Sequence, residues 1–573
     1  MADPDDLVII IIGGGEIALG TARELCGLQA HRIVVLWRRD PDLARAVESA
    51  GAAFIAAVRP DSSEGLERAG VRHAVTILAL SPDDQLNLHA ALLARDANPR
   101  IRIVLRQFNR TLAHKIEQNL PNCSVLSLAW HSAATYAAAA VDPSCFRGLQ
   151  FPQLEGPLTG FATRIAEECG VGECTLAQAE RVLGARIVAV NGATDFPADA
   201  VLANRAELVV YGEIAQLQLS ARRLAPRARL EISGRLRSLL HRRRDRSPRL
   251  NPILARLAVA TLAVIVLGIW YFHAAFGGAW LDAIYFVITT MTTTGYGDVI
   301  PDRSQPVEIV AAMLLMLSGI TLTGLFIAFG ASLLTRVHWV TMQGLRPIHR
   351  SGHIIVCGAG SIGTGVIDLL LALGKRLVVI ERDPDTSLVE RAREQRFDLL
   401  TGDASRDSTL DLCNLGAAHS LIALTNVDTL NLEIALGARA RNPTMPAVLR
   451  IADASFAQSI ARHFEFDTTY SAAGLAAPAF VGLSRFPGSR GRVSFGGREF
   501  AIAELGIEDH PHAPPRGAIP IAISRGTGFE IAHDVDYGAL GAGNRALVLI
   551  PRAPFREDED KLAAAKEPAA GLH

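Results

Sequence analysis

Two stretches of this 573-residue chain, Leu257 to Leu281 and Ile309 to Thr335, hold no Asp, Glu, Lys or Arg, and they restrict the fold more than any other feature. A hydrocarbon core takes about 20 apolar residues of helix to cross, and both runs exceed that length. Backbone polar groups in lipid must be bonded within their own segment, so each run is expected to be a membrane-crossing helix, at about 255–276 and about 307–335. Between them, Trp280 to Met291 is too short to cross and reads as a re-entrant helix. Two crossings return both chain ends to one side. The run from Arg222 to Arg256 holds twelve Arg against only Glu231 and Asp245. By the positive-inside rule that side is the cytoplasm. Such a run also suits a nucleic-acid patch, but beside a membrane span topology and anionic-lipid contact are the stronger reading.

Directly after the short helix comes Thr292-Thr293-Thr294-Gly295-Tyr296-Gly297-Asp298-Val299. Its residues suit a strand whose carbonyls replace an ion's hydration shell around a fourfold axis. Gly295 and Gly297, at alternate positions, enter backbone angles that a Cβ disfavours, so that successive carbonyls face the same way. The segment resembles the selectivity filter of potassium channels. The resemblance implies that Thr293 offers hydroxyl and carbonyl at the inner end, that Thr294 continues the carbonyl ladder, that Tyr296 points outward, and that Asp298 marks the outer mouth. It also implies that the carboxyl end of the pore helix, with its negative dipole, faces a cation. Thr294 stands where the family has valine, which leaves a poorly selective cation channel as the alternative. Thr289 stands where some relatives carry an acid behind the filter, so no carboxylate brace is expected there. In the second span Gly319 and Gly324 are candidate gating hinges, with Gly330 further along. Close helix packing is the competing use of such glycines.

An internal repeat organises the rest. Asp84-Gln85-Leu86-Asn87-Leu88 recurs as Asp428-Thr429-Leu430-Asn431-Leu432. At the same offset Ala94-Arg95 matches Ala438-Arg439, Asn98-Pro99 matches Asn442-Pro443, and Val104-Leu105-Arg106 matches Val448-Leu449-Arg450. Each copy opens with an apolar strand (Leu7 to Ile12; His353 to Cys357), a glycine-rich turn, a helix and a second apolar strand, which is a βαβ unit of parallel sheet. In the second copy the turn is Gly358-Ala359-Gly360-Ser361-Ile362-Gly363, with Glu381 ending the next strand. That spacing is the dinucleotide fingerprint, in which glycines admit a phosphate at the helix start and the acid holds a ribose hydroxyl. The first copy reads Gly13-Gly14-Gly15-Glu16-Ile17-Ala18, and Trp37 or Arg38 falls at the acid position, so a weaker or altered site is expected at Gly13, Gly15, Glu16 and Ile17.

Together these motifs resemble RCK domains (regulators of potassium conductance), related to the TrkA-type nucleotide-binding subunits of bacterial potassium uptake systems. The resemblance covers nearly the whole chain. It implies an α-helical membrane pore, two spans plus a re-entrant helix, flanked by two α/β Rossmann-like RCK domains, each with a small α+β C-terminal lobe. The expected order is a Rossmann-like lobe at 1–135, its C-lobe at 136–215, a basic linker at 216–250 and the pore at 251–340, with pore helix 280–291 and filter 292–298. A second Rossmann-like lobe at 341–475, its C-lobe at 476–556 and a flexible tail at 557–573 follow. Carried over by motif, Gly358, Gly360, Ser361, Ile362, Gly363, Glu381 and Asp403 would meet NAD(H) or an adenine nucleotide, with Arg450 a phosphate or interface contact. In the first copy Arg59 falls where Asp403 does.

The resemblance further implies a ligand-gated, potassium-selective, multi-pass channel of the inner membrane with both termini cytoplasmic. Potassium is the permeant ion, and a homotetramer would carry a ring of eight RCK domains. A divalent cation is a possible second ligand, with no metal-binding residues assignable. A net charge of −1 gives no global field for nucleic acid. Seven scattered Cys (26, 123, 145, 169, 174, 357, 413) suit a reducing cytosol, with Cys169 and Cys174 a weak metal signal. No cleavable signal peptide and no Arg-rich voltage-sensing helix is expected. The βαβ units alone would also fit a membrane-anchored NAD-dependent oxidoreductase, but no convergent His or Lys beside a nicotinamide is recognisable, so an enzyme is not expected.

Overall fold

The computed structural model describes residues 8–28, 31–108, 110–150, 156–197, 199–224, 252–302, 304–342, 347–466, 468–506, 517–524, 529–531 and 544–551. Most of the arginine-rich run and the expected tail fall outside these residues. The chain forms two compact units, one from residues 1–225 and 347–573, the other from 226–346.

In the first unit each repeat builds a six-stranded parallel sheet. Its order in the first repeat is Ala53–Ala56, Arg32–Trp37, Val8–Ile12, Ala74–Ala79, Arg102–Arg106, Cys123–Leu126. The second runs Asp398–Thr401, Leu377–Glu381, Ile354–Cys357, Ser420–Ala423, Ala447–Ile451, Thr469–Ser471. Val8–Ile12 and Ile354–Cys357 are buried at every position, as central strands covered by helices on both faces must be. Strand order reverses beside them, so the glycine-rich turns at their ends lie at the switch point of each sheet.

The repeated residues turn out to be locks on this scaffold. Asn87 is fully buried; its Nδ2 donates to the carbonyls of Ser81 (2.8 Å) and Arg106 (2.9 Å), and its Oδ1 accepts from Ser81 N (2.9 Å). Asn431 does the same with the carbonyls of Thr425 and Arg450 and with Thr425 N. Asp84 accepts from Phe108 N and Asp428 from Ala452 N, tying each helix start to the next strand's end. Asn98 and Asn442 donate to the carbonyls of Val71 and Leu415, and Arg95 and Arg439 to those of Pro121 and Phe464. The asparagines close part-buried turns, and the arginines tie down turns at the surface.

The two repeats exchange helices. Leu128–Val141 follows the first sheet yet packs along Ser361–Ala372 of the second, and Ala472–Arg485 packs along Gly15–Gly27 of the first. Alanine permits the close approach: the position of a Cβ on Gly365 lies 3.1 Å from Ala133 Cβ, and that on Gly20 lies 3.5 Å from Ala477 Cβ. Matching bonds pin both crossings, Ser420 Oγ to the Ala140 carbonyl (2.7 Å) and Thr76 Oγ1 to the Ser484 carbonyl (3.3 Å). Beyond the crossings lie a four-stranded and a five-stranded antiparallel sheet. Their inner faces share one core, with Phe161, Val188 and Tyr211 against Val493, Phe500 and Ile502.

The second unit holds three helices, Pro252–Ala275, Trp280–Met291 and Pro306–Met342. Two are long and apolar enough to cross a membrane, with mean hydropathy of 2.0 over Arg256–Ala275 and 1.9 over Pro306–Leu325. The short helix is seated on them through Phe272, Phe286, Val287, Met291, Ala312 and Leu315, with the Phe272 and Phe286 rings 4.7 Å apart.

Candidate functional site

After Met291 the backbone turns out of its helix and stays tied to it. Thr289 O accepts from Thr294 N (2.9 Å) and Gly295 N (3.1 Å), and Thr290 O accepts from Thr293 N (3.1 Å). Three alternate residues then have positive φ: Thr293 at 61°, Gly295 at 49° and Gly297 at 78°. Alternation of this kind turns successive peptide units so that carbonyls line one side, and at Thr293, which has a Cβ, it costs about 1–3 kcal/mol. A Cβ at Gly295 or Gly297 would meet nothing within 4 Å, so these glycines serve backbone conformation rather than space.

Tyr285, on the short helix, donates its hydroxyl to Asp298 Oδ2 at 2.8 Å and stacks on the Tyr296 ring, centroids 6.5 Å apart and 12° between planes. It is a brace that sequence reasoning missed. The signal available was an aromatic hydroxyl three to four helical turns upstream of an acid, which becomes meaningful only once the chain is known to double back. Thr289, where an acid was considered, bonds its hydroxyl to the Tyr285 carbonyl. Gly319 lies against the end of the same helix: a Cβ there would sit 2.8 Å from Met291 Cα and O. Packing therefore accounts for Gly319, whereas Gly324 has open space around it.

In the second repeat, Gly358 turns with φ 95°, and a Cβ on it would lie 3.1 Å from Thr425 N. Gly360 precedes the helix Ser361–Ala372, whose first N–H groups are an anion-binding end. A Cβ on Gly363 would run into the Gly358 carbonyl, so this position needs glycine for helix and strand to approach. Ser361 is exposed at the rim, and Ile362 anchors the helix start in the core. Glu381 reaches back, its Oε2 accepting from Ala359 N (2.6 Å) and its Oε1 from Arg382 N (2.8 Å). Arg382 also bonds Asp403 (3.4 Å), whose carboxyl is held below the usual range by the Ser405 hydroxyl and backbone N–H. Arg450 Nη1 donates at 2.9 Å to the carbonyl of Thr425, the residue whose N lies beside Gly358. The glycines and Glu381 thus gather at one helix start, with Asp403 joined through Arg382 and Arg450 on the neighbouring strand end. Among the described residues no three His, Cys, Asp or Glu side chains form a metal-binding group.

Residues 9–122 and 354–471 both match the TrkA-N domain family, and residues 259–336 match the ion channel family. Two TrkA-N domains flank an ion-channel domain. The chain is similar to the voltage-gated potassium channel Kch of Escherichia coli, with 27% identity over 30% of this chain and 42% of that one. It is also similar to potassium channel protein 1 of Methanocaldococcus jannaschii, with 26% identity over 30% of this chain and 53% of that one. The chain thus spans about half the length of these curated relatives. A solved structure of the GsuK channel bound to NAD aligns over 98% of this chain and 80% of that one, with 15% identity and a TM-score of 0.49.

In the first TrkA-N domain the second position of the glycine turn is covered by Trp37. Gly13 is buried, and a Cβ on Gly14 would stand 2.8 Å from Trp37 Cε2 and 2.9 Å from its Cδ1, so the indole lies against the turn. Arg38 sits over that ring, 5.8 Å from its centroid. Arg59 pairs with Asp61, which also bonds His89 Nδ1 (2.9 Å). Gly15 and Glu16 are exposed at the helix start and Ile17 is buried. Burial and the nearby Asp453 of the second TrkA-N domain push the Glu16 carboxyl up.

Proposed function

We propose that the chain is the subunit of a tetrameric, potassium-selective channel whose gating responds to NAD(H) or another adenine nucleotide held by the second TrkA-N domain. The observation that carries this reading is the alternation of positive φ at Thr293, Gly295 and Gly297, directly after a short helix seated between two membrane-length helices. A filter of carbonyls needs several copies around one axis, and four is the number that closes a potassium site. Tyr285 would hold Asp298 at the outer mouth, while Glu381, Asp403 and the Ser361 helix start would take ribose and phosphate.

The exchanged helices bear on topology. Segments before and after the spans interlock into one unit, which requires both to leave the membrane on the same face. With twelve Arg in the run from Arg222 to Arg256, that face is the cytoplasm. Each chain carries its own pair of TrkA-N domains, so four chains would bring eight. Matched exposed apolar residues, Leu92 with Leu436 and Leu112 with Phe456, supply a surface for neighbouring pairs. We propose no enzymatic step and no divalent-cation site for these residues. Thr294 in place of valine favours a second reading, a cation channel of low selectivity.

Flux from liposomes holding the purified chain, in potassium and then in sodium, with and without NAD, NADH, ATP and ADP, tests the reading. The expected result is potassium-selective flux that a nucleotide alters and that Glu381→Ala makes insensitive. Equal sodium flux selects the second reading, and hydride transfer without ion flux would overturn both. Tyr285→Phe is expected to lower the potassium-to-sodium flux ratio by about tenfold or less, for a lost bond of about 1 kcal/mol.

A further inference from the structure

We propose that Trp37 is a built-in occupant of the first TrkA-N domain's nucleotide groove, so that each chain binds one nucleotide, in the second domain. This rests on the nucleotide reading above and sets its stoichiometry.

The two grooves can be superposed through their strand registers. Ile12 pairs with Leu36 as Cys357 pairs with Ile380, so Trp37 and Glu381 are the next residues at the same place. Gly14 and Ala359 are likewise matched, one residue past Gly13 and Gly358. In the second domain the Ala359 methyl is tolerated, Glu381 is directed at Ala359 N–H, and a Cβ on Gly360 would meet nothing within 4 Å. The matched Gly15 is equally open, so the two turns differ at their second position. In the first domain the space of the Ala359 methyl belongs to the indole, whose Nε1 any Cβ on Gly14 would run into. Gly14 and Trp37 are therefore a fitted pair, the missing methyl on one admitting the ring of the other.

Three further observations make the plug permanent rather than a lid. Trp37 packs against the cores on both faces of the first sheet, which anchors its ring. No carboxylate stands at its position to take ribose hydroxyls. Arg59 stands where Asp403 does, and it is engaged in a polar chain with Asp61 and His89. A nucleotide in this groove would have to displace a packed indole and would gain no acid for its ribose. The paired domains then divide their work: the first is a fixed partner and the second changes with ligand. In the proposed tetramer four sites, not eight, set the response.

Calorimetric titration of ADP and of NADH into the full chain in detergent micelles reads this directly. The native chain should bind one equivalent per chain, and Glu381→Ala should weaken it by at least tenfold with no second equivalent left behind. Trp37→Glu combined with Arg59→Asp should raise the count to two, whereas Trp37→Phe, which keeps a ring in the groove, should leave it at one. Two equivalents on the native chain, or one tight equivalent remaining in Glu381→Ala, would overturn the plug and spare the nucleotide reading. These two titrations need no Trp37 variant to fold. Absence of binding to the native chain would overturn the nucleotide reading and the plug with it.

Discussion

The first and second TrkA-N domains carry the same scaffold and different grooves. Where a residue closes a buried turn it recurs at the same place in both, as with Asn87 and Asn431 or Asp84 and Asp428. Where it would face a ligand, the two diverge, with Trp37 against Glu381 and Arg59 against Asp403. Duplication has thus kept what each fold needs to close, while the groove positions of the two copies have diverged. At these positions, identity between the repeats goes with closing the scaffold, and difference with the groove.

The largest expected effect tests the shared half of that comparison. Asn87→Ala removes three hydrogen bonds at a fully buried position and Asn431→Ala removes four, the fourth from the Thr425 hydroxyl, although the Thr425 carbonyl keeps its bond from Arg450. Each should cost about 3–5 kcal/mol of domain stability, at 1–3 kcal/mol for an unsatisfied buried group. Denaturant unfolding followed by circular dichroism should give similar losses for the two. A large loss from one and none from the other would mean that the scaffolds are not equivalent.

Gly363→Ala tests the divergent half. Its methyl would run into the Gly358 carbonyl, and crowding of that kind costs about 1–3 kcal/mol. The first domain already carries Ala18 at the matching place, inside its helix Gly15–Gly27 and fully buried. Gly363→Ala should therefore weaken nucleotide binding as well as stability, and Ala18→Gly should change neither by more than about 1 kcal/mol, the helix propensity difference. Equal effects would show that groove shape is not what separates the domains.

Much of this organisation was legible in the sequence because its signals are local. Charge-free runs of spanning length, two glycine turns after apolar strands, and a repeat at constant offset each occupy a short window. The helix exchange was not legible: Leu128–Val141 is alanine-rich and apolar on nearly every face, so its pattern is compatible with packing on either sheet. The Tyr285 to Asp298 bond and the seating of Gly319 on Met291 join residues that only the folded backbone brings together. Trp37 could be read as a missing acid, but its filling of the groove needed Gly14 beside it. Arg450 matches Arg106 in the repeat, and both donate to a strand-end carbonyl, Thr425 and Leu80, which is the use that repetition suggests.

The crossing helices differ in a buried imidazole. His131 on the first corresponds to Leu475 on the second, and Arg147 bridges them, Nη2 donating to His131 Nε2 (2.8 Å) and to the Leu475 carbonyl (3.2 Å). Burial, with the Arg147 and Arg490 guanidinium groups nearby, pushes the His131 imidazole down to about 3. A folded-state value below the ordinary 6.5 means that the unfolded chain takes up the proton first. The stability this group contributes is therefore fully present above pH 6.5 and is lost as pH falls toward about 3, at about 1.4 kcal/mol per pH unit. His131→Gln keeps an acceptor for Arg147 and should flatten that part of the stability profile. An unchanged slope would move the acid sensitivity to other groups.

The smallest effect on folding should come from the matched surface positions, and it separates pairing within a chain from pairing between chains. Leu92 and Leu436 occupy the same place in the two repeats and are 45% and 38% exposed, so each is wetted in the single chain. Leu92→Asp or Leu436→Asp should alter the unfolding of one chain by about 0.5 kcal/mol or less, as surface substitutions do. In an assembled ring the same carboxylate would be buried against apolar neighbours, which is far more costly. Light scattering on the detergent-solubilised protein should then show tetramers giving way to smaller species. If only one of the two variants dissociates, one TrkA-N domain of each pair makes the contacts between chains. If neither does, these helices face solvent in the assembly, and the ring is held together elsewhere.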